Sequence, residues 1–314
     1  MLAMGVLLAF ALSLMAGKVW VGPSLWFSGD PRAFIIFDLR LPRALLGAGI
    51  GAASGLAGAV LQSYLRNPLA DPGLLGVSTS AALGAVLAIF LGFSGTVWVV
   101  PLAGVAGGLL GMLILMLLVG RSTSVIVFIL AGIILANISG ALTALLISLA
   151  PTPFATSEIV NWLMGALTDR SLRDALIVLP MLAVGSALLF ATARMLDALV
   201  LGEAVARTLG VNVARLQWLV VIGIGLAIGG STAVTGVIGF VGLVVPHLVR
   251  PLVGQQPSLG LLPSALAGAI LLLTADALVR LVPGASELRL GVAMALVGGP
   301  FFLLLINRMR DTAV

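Results

Sequence analysis

Side chains able to do chemistry are scarce in this sequence. The 314 residues include one histidine, one lysine and no cysteine. Without cysteine the chain can form neither disulfides nor thiolate metal sites, and one histidine cannot supply a multi-histidine metal site. The lysine, Lys18, stands in AGKVW, whereas a phosphate-binding P-loop needs Gly-Lys followed by serine or threonine. We therefore predict no catalytic residues, no metal site, no cofactor and no ATPase in this chain.

Charged side chains gather at one place, residues 196–215, which read LDALVLGEAVARTLGVNVAR. The candidate functional residues of this segment are Gly202, Glu203, Val205, Arg207, Leu209 and Gly210. The acidic and basic members are four residues apart in the order that favours a helical ion pair, and the two apolar members share a helical face. The glycines suit the two ends of a short helix. Such a helix is too short to span a membrane, so it either lies on the membrane surface or presses its apolar face into a partner protein.

The elements that must position these residues lie in a membrane. The chain is 61% hydrophobic and 9% charged, whereas soluble domains carry roughly 25% charged residues. Its 39 glycines suit close helix–helix approach in lipid. The arginines stand singly between apolar stretches and form no basic patch, which argues against nucleic-acid binding.

Ten apolar stretches are long enough, or nearly so, to be transmembrane helices of about 20 residues. They are 1–20, 44–65, two within 72–120, 122–150, 174–193, two within 216–249, 258–279 and 289–307. GFSGT (92–96) supplies the first internal turn, and GGSTAVTG (229–236) divides a full span from a short one ending at Pro246. We predict one all-α integral membrane domain over residues 1–314.

Ten spans place both termini on one side, but lysine and arginine divide evenly between the two faces, so charge asymmetry does not orient the chain. No span carries an ionisable residue near its middle; Asp276 and His247 stand toward span ends. This argues against an ion-coupled secondary transporter and against an intramembrane enzyme. A membrane scaffold or receptor without a transport path remains an alternative.

Two segments share a spacing of small residues, LLGAGIGAASGLAGAV (45–60) and VVIGIGLAIGGSTAVTG (220–236). Five spans separate them, so the two copies would run in opposite directions. Inverted repeats of this kind are common in transporters, although small-residue spacing is also general to membrane helices.

One connection, LRNPLADPGLLGVS (65–78), contains several residues that start or end helices. Asn67-Pro68 and Asp71-Pro72 each pair an N-cap residue with a proline suited to the first helical position. From the residues alone, this is a tight, well-capped loop between two helices.

Five motifs in order carry a family resemblance: RLPRALL (40–46), RNPLADPGLLGVS (66–78), LGEAVARTLGV (201–211), GFVGLVVPHLVR (239–250) and GGPFFLLL (298–305). Together they resemble the FecCD-type ten-span permeases of ATP-driven importers for iron–siderophore complexes, haem and cobalamin. The resemblance runs nearly end to end. One departure is Arg289 in SELRLG (286–291), where the family more often has proline.

The resemblance implies a homodimer with its path on the two-fold axis, two ATPase subunits that hold ATP and magnesium, and one periplasmic or lipid-anchored binding protein. It implies the inner membrane of a bacterium, with both termini cytoplasmic. The cargo would be a bulky chelate whose metal is already coordinated, moved through a nearly uncharged path. A bare cation would instead need oxygen or nitrogen ligands.

The same resemblance assigns roles to individual residues. Residues 202–210 match the coupling helix that docks on the ATPase, and 157–167 match a short helix at the outer rim. The cytoplasmic gate would comprise Asn67, Leu69, Thr123 and Ser124. The arginines that dock the binding protein would be Arg40, Arg43 and Arg280. Spacing alone favours plainer roles for these arginines: snorkelling to the interface for the first two, and a local pair with Asp276 for the third.

Overall fold

The computed structural model describes residues 1–26, 33–96, 98–120, 124–283 and 287–311, and these are helical almost throughout. The α-helices are α1 Leu2–Met15, α2 Leu41–Tyr64, α3 Val77–Phe90, α4 Val99–Val119, α5 Val125–Ser148, α6 Pro153–Leu163, α7 Leu172–Ala191, α8 Ala193–Val200, α9 Glu203–Thr208, α10 Val213–Ile224, α11 Gly230–Thr235, α12 Val241–Val253, α13 Pro257–Leu281 and α14 Leu290–Asp311. Two short π-helical segments adjoin these helices. Ile35–Arg40 leads into α2, and Gly225–Gly229 joins α10 to α11.

The prediction of an all-helical membrane protein is confirmed. Six helical stretches are long and apolar enough to cross a bilayer: Ile35–Tyr64, Val99–Val119, Val125–Ser148, Leu172–Val200, Val213–Thr235 and Pro257–Leu281. Shorter apolar helices occupy Leu2–Met15, Val77–Phe90, Val241–Val253 and Leu290–Leu305. Each of these stretches falls within or across one of the apolar segments read from the sequence.

The predicted break at GFSGT is in place. A short 3₁₀ turn, Phe93–Gly95, separates α3 from α4 inside the GFSGT segment. Thr152 caps α6 by accepting a hydrogen bond from the amide of Ala155, and Pro153 is the first residue of that helix. Proline suits this position because its missing N–H would have no helical partner there.

The boundary of the eighth apolar segment was predicted wrongly. Every residue of α11 is buried, so tertiary packing holds the glycine-rich GGSTAVT stretch in a helix. The chain breaks later, between Gly236 at φ 72° and Phe240 at φ 68°. Pro246 does not end the next helix, which continues to Val253. A proline removes one backbone hydrogen bond, and packed neighbours in a membrane bundle compensate for that loss.

Helix α2 is the centre of the bundle and packs against α13, α7 and α12. Glycines allow the backbones to touch. A Cβ added at Gly58 would overlap the carbonyl oxygen of Gly242 in α12, and one at Gly51 would overlap that of Gly268 in α13. This is the close approach that small residues permit between membrane helices.

Candidate functional site

The predicted short helix exists as α9, between Gly202 at φ 106° and Gly210 at φ 85°. Left-handed φ values of this size favour glycine, so both ends of α9 depend on it. Arg207 pairs with Glu203 through Nη2 and Oε1 at 2.7 Å. The pair is largely exposed and stabilises the helix only slightly.

The apolar face of α9 is only partly covered by the described residues. Val205 is 43% exposed and Leu209 is 62% exposed, whereas Ala206 is fully buried against the bundle. The amide of Val211 donates to the carbonyl of Ala206, which closes the C-terminal end of the segment. The bundle thus holds α9 by one small residue and presents its larger apolar side chains outward.

A cavity of about 250 Å³ lies between α9 and the end of α2, and its lining includes Tyr64, Arg66, Val125 and Glu203. The ring of Tyr64 packs edge-to-face on that of Phe128, with centroids 5.6 Å apart. The end of α2, the start of α5 and the helix α9 therefore meet at one end of the bundle.

The predicted gate loop, residues 65–76, begins at that end and turns back into the bundle. Asn67 Oδ1 accepts a hydrogen bond from the amide of Leu69 at 2.9 Å, but no helix starts there. Asp71 does cap a 3₁₀ turn, Pro72–Leu75, by accepting from the amide of Gly73. Ala70 and Leu75 are buried, so the connection is more deeply set than a surface turn.

The two remaining predicted gate residues are Thr123 and Ser124. Ser124 is exposed at the start of α5, while Thr123 lies outside the described residues. The structure thus places three of the four predicted gate residues: Asn67 and Leu69 in the connection after α2, and Ser124 directly before α5.

A model of the FecCD transport family matches residues 5–308 of the chain. The chain belongs to this family. Vitamin B12 import system permease proteins BtuC from Citrobacter koseri and Salmonella typhi are each 39% identical to it over 308 residues. The alignments cover 97% of this chain and 92% and 93% of those proteins, respectively.

Solved structures agree. An inward-facing metal-chelate type ABC transporter matches with a TM-score of 0.87 and 32% identity, covering 98% of this chain and 97% of that one. PsaBC from Streptococcus pneumoniae in complex with Fab matches with a TM-score of 0.57 and 20% identity, covering 83% and 88%, which shows the fold alone. This FecCD chain is a multi-pass permease of an ABC importer and not itself an ATPase; such permeases work with ATPase and binding-protein partners.

The three predicted docking arginines of this permease are buried. Arg40 is 7%, Arg43 is 8% and Arg280 is 4% exposed. Arg40 donates to the carbonyls of Leu14 and Met15 at the end of α1, at 2.9 and 2.7 Å. The alternative of snorkelling is therefore wrong for Arg40, whose guanidinium ties α1 to α2.

Arg43 and Arg280 share Asp276. Arg43 donates to both carboxylate oxygens, with Nη2 2.9 Å from Oδ1, and Nη2 of Arg280 lies 3.2 Å from Oδ2. The Asp276–Arg280 pair expected from the spacing is present, but it is buried, not exposed. Arg280 also donates to Ser13 Oγ at 2.8 Å. Snorkelling is wrong for Arg43 too, and docking of a partner on these arginines stays a prediction.

A cavity of about 560 Å³ nevertheless opens beside the arginines. Its charged lining residues are Lys18, Asp38, Arg40, Arg43, Asp169, Arg170, Arg280 and Glu287. Cations outnumber carboxylates in this lining, so an acidic group entering the cavity would meet a net positive charge. Arg289, the departure from the family pattern, donates to Asn161 Oδ1 at 3.3 Å and so links the segment before α14 to α6.

Glu287 was missed by sequence reasoning because its partners are remote in the chain. Its Oε2 accepts from Arg43 Nη1 at 2.9 Å and from Thr168 Oγ1 at 3.3 Å. Burial alone would raise the pKa of the Glu287 carboxyl, but the charge and hydrogen bond of Arg43 outweigh it and the pKa lies below the ordinary value. A carboxyl of lowered pKa stabilises the folded state above its unfolded pKa, and this contribution is lost as pH falls through the folded pKa.

Glu287→Gln should therefore lower the unfolding temperature of the purified complex at pH 7 by about 2–4 °C, the effect of about 1 kcal/mol. The difference from the parent should shrink as pH falls below the unfolded pKa of a glutamate, about 4.3, and should vanish below the still lower folded pKa, where the parent carboxyl is protonated. Scanning fluorimetry across pH measures both effects. Glu158→Gln is the control, because Glu158 forms no ion pair with a described residue; equal curves for the two variants would contradict the role of Glu287.

No group of three or more histidine, aspartate or glutamate side chains among the described residues could hold a metal ion. His247 lies in α12 with its ring edge-on to that of Phe301, centroids 5.8 Å apart.

Proposed function

We propose that this permease imports cobalamin or a closely similar metal chelate, received from a binding protein and moved at the expense of ATP hydrolysed by two partner subunits. The observation that carries the proposal is the near-complete alignment with vitamin B12 import permeases at 39% identity. Similarity to a metal-chelate type transporter supports the same class of cargo. Iron–siderophore and haem are the alternatives within the class.

Uptake by vesicles containing the permease, its ATPase and its binding protein tests this proposal. Labelled cobalamin, a ferric siderophore and haem are supplied in parallel, with and without ATP. ATP-dependent accumulation of cobalamin supports the proposal. Accumulation of a different chelate alone would move the assignment within the class, and ATP-independent uptake would favour a secondary transporter.

We infer a homodimer whose path runs along α5. This helix is the least buried of the six long apolar stretches. Asn137, near its middle, is exposed, and its Nδ2 donates only to the carbonyl of Ile133 one turn earlier. An amide facing lipid at this depth would be costly, which supports a second copy or a water-filled path beside it.

The proposal includes ten membrane-crossing units and an inverted repeat. The short helices α3 and α12 each follow a connection that runs into the bundle, 65–76 and 236–240, so helix and connection together cover the needed depth. Helix α12 packs against α2, and α3 packs against α11. Each short helix thus contacts a long apolar stretch of the other half of the chain, as two inverted repeats would require.

On this proposal the termini are cytoplasmic in the inner membrane, and α9 is the coupling helix. Its exposed Val205 and Leu209 face the ATPase. Displacement of α9 would act on the end of α2 and on the gate loop, which border the same cavity.

Cysteine pairs test the gate in this cysteine-free chain. Leu69→Cys with Ser124→Cys should crosslink within or between subunits, and the yield should change several-fold when nucleotide is trapped on the ATPase. Leu69→Cys with Ser148→Cys is the matched control, because Ser148 lies at the far end of α5, about 35 Å away. A yield that does not respond to nucleotide would count against gating at these residues.

A further inference from the structure

A second cationic cavity, of about 300 Å³, lies at the same end of the bundle as α9. It is enclosed by the ends of α2, α8 and α12 and by the start of α13. Its polar side chains include Gln62, Arg66, Asn67 and Arg250, and none of the described residues that line it is aspartate or glutamate. Neither the comparisons nor the coupling and gate roles account for this positive charge.

Arg250 is half-buried in the last turn of α12. Its Nη2 donates to Gln62 Oε1 at 3.0 Å, and this is its hydrogen bond to a described residue. Gln62 is itself fixed, because its Nε2 donates to the carbonyls of Gly242 and Leu243 at 3.2 and 3.3 Å. A guanidinium has five N–H donors, and Arg250, which lines the cavity, uses one of them on a described residue, so the others are available to a ligand.

Arg66 supplies the second charge. It is exposed and adopts φ 49°, which is uncommon for a residue other than glycine. Neither Arg66 nor Arg250 forms an ion pair with a carboxylate of the described residues. The nearby Asp197 accepts from Gln256 and from the amide of Ser258, so it caps α13. The cavity is therefore a cationic site without an internal counter-ion.

The surface beside the cavity is that of a lipid-facing bundle. Large apolar side chains are exposed on both helices that flank it: Leu248 and Leu252 in α12, Leu259 and Leu262 in α13. Arginines at helix ends lie at the depth of lipid headgroups, and basic pockets between membrane helices bind anionic headgroups. We propose that this cavity binds the phosphate of an anionic phospholipid, with the acyl chains along the exposed leucines.

Native mass spectrometry of the permease–ATPase complex tests the site, with phosphatidylglycerol as the titrated probe. Arg250→Gln should weaken binding about fivefold, the effect of one basic residue near an anionic headgroup. Arg250→Lys should retain most of the binding. Arg215→Gln removes the same charge from an exposed position outside the cavity and should bind like the parent. Diacylglycerol with the same chains, which lacks the phosphate, should not bind.

Each other outcome overturns the proposal in a recognisable way. Equal binding by the parent and Arg250→Gln, or equal weakening by Arg215→Gln, would mean that no specific site exists. Displacement of the lipid by millimolar inorganic phosphate would make free phosphate the ligand. Loss of the ATPase subunit from Arg250→Gln in every lipid would show that the cavity receives a protein carboxylate.

Discussion

Replacing Val205 by glutamate should abolish ATP-driven uptake while leaving the helical bundle folded. Val205 is 43% exposed on α9, so the free permease tolerates a charge there. In the coupled complex, the proposed interface would bury that carboxylate without a partner, which costs several kcal/mol. The expected result is loss of the ATPase on co-purification and uptake near background in reconstituted vesicles.

Val205→Leu is the matched control for this prediction. It keeps an apolar side chain at the same position and should preserve both the complex and uptake. Thermal unfolding of the glutamate variant should be close to that of the parent, because Val205 lies on the partly exposed face of α9. Normal uptake by Val205→Glu would remove α9 as the coupling element.

Asp276→Ala should destabilise the permease by about 3–5 kcal/mol, because it leaves two guanidinium groups buried without their shared carboxylate. Arg43 and Arg280 both bind this carboxylate, and the Asp276 side chain is 1% exposed. The expected fall in unfolding temperature is about 6–20 °C, from about 2–4 °C for each kcal/mol. Scanning fluorimetry of the purified protein measures it.

Two further variants show whether charge is the cause. Asp276→Asn keeps the shape and one acceptor oxygen, and should fall between the parent and the alanine variant. Asp38→Asn removes an exposed carboxylate that lines the cavity beside Arg43 and Arg280, and it should change the unfolding temperature little. An alanine variant as stable as the parent would mean that the arginines find other partners.

Signals that are local in the chain predicted structure well. The glycine ends and the four-residue spacing of Glu203 and Arg207 predicted α9 because a short helix is specified by its own caps and side-chain pairs. Asp71, predicted as a cap from its place before Pro72, caps a 3₁₀ turn for the same reason. Apolar length likewise predicted the membrane class, since lipid selects for it directly.

Features set by tertiary contacts were beyond this reasoning. Arg43 and Asp276 are 233 positions apart, so nothing near either residue indicates their pairing. The helical GGSTAVT stretch was read as a break because glycine weakens isolated helices, whereas complete burial of α11 reverses that preference. The sequence shows that Asn137 is a polar residue in an apolar span. Its exposure, which supports a second subunit or a water-filled path beside α5, follows only from the structure.

The glycine contacts of α2 have a mechanical consequence. Where Gly58 meets Gly242 and Gly51 meets Gly268, backbone touches backbone without a side chain between. Side chains can change rotamer to absorb sliding, but a peptide backbone in a helix cannot. Helices α2, α12 and α13 should therefore move as one rigid body. One end of this body carries Arg43 and Arg280, and the other end lies near α9. Bending must then occur in the connections, such as residues 65–76 and 236–240. A change of access from one side of the membrane to the other would be a rotation of this rigid body against the remaining helices.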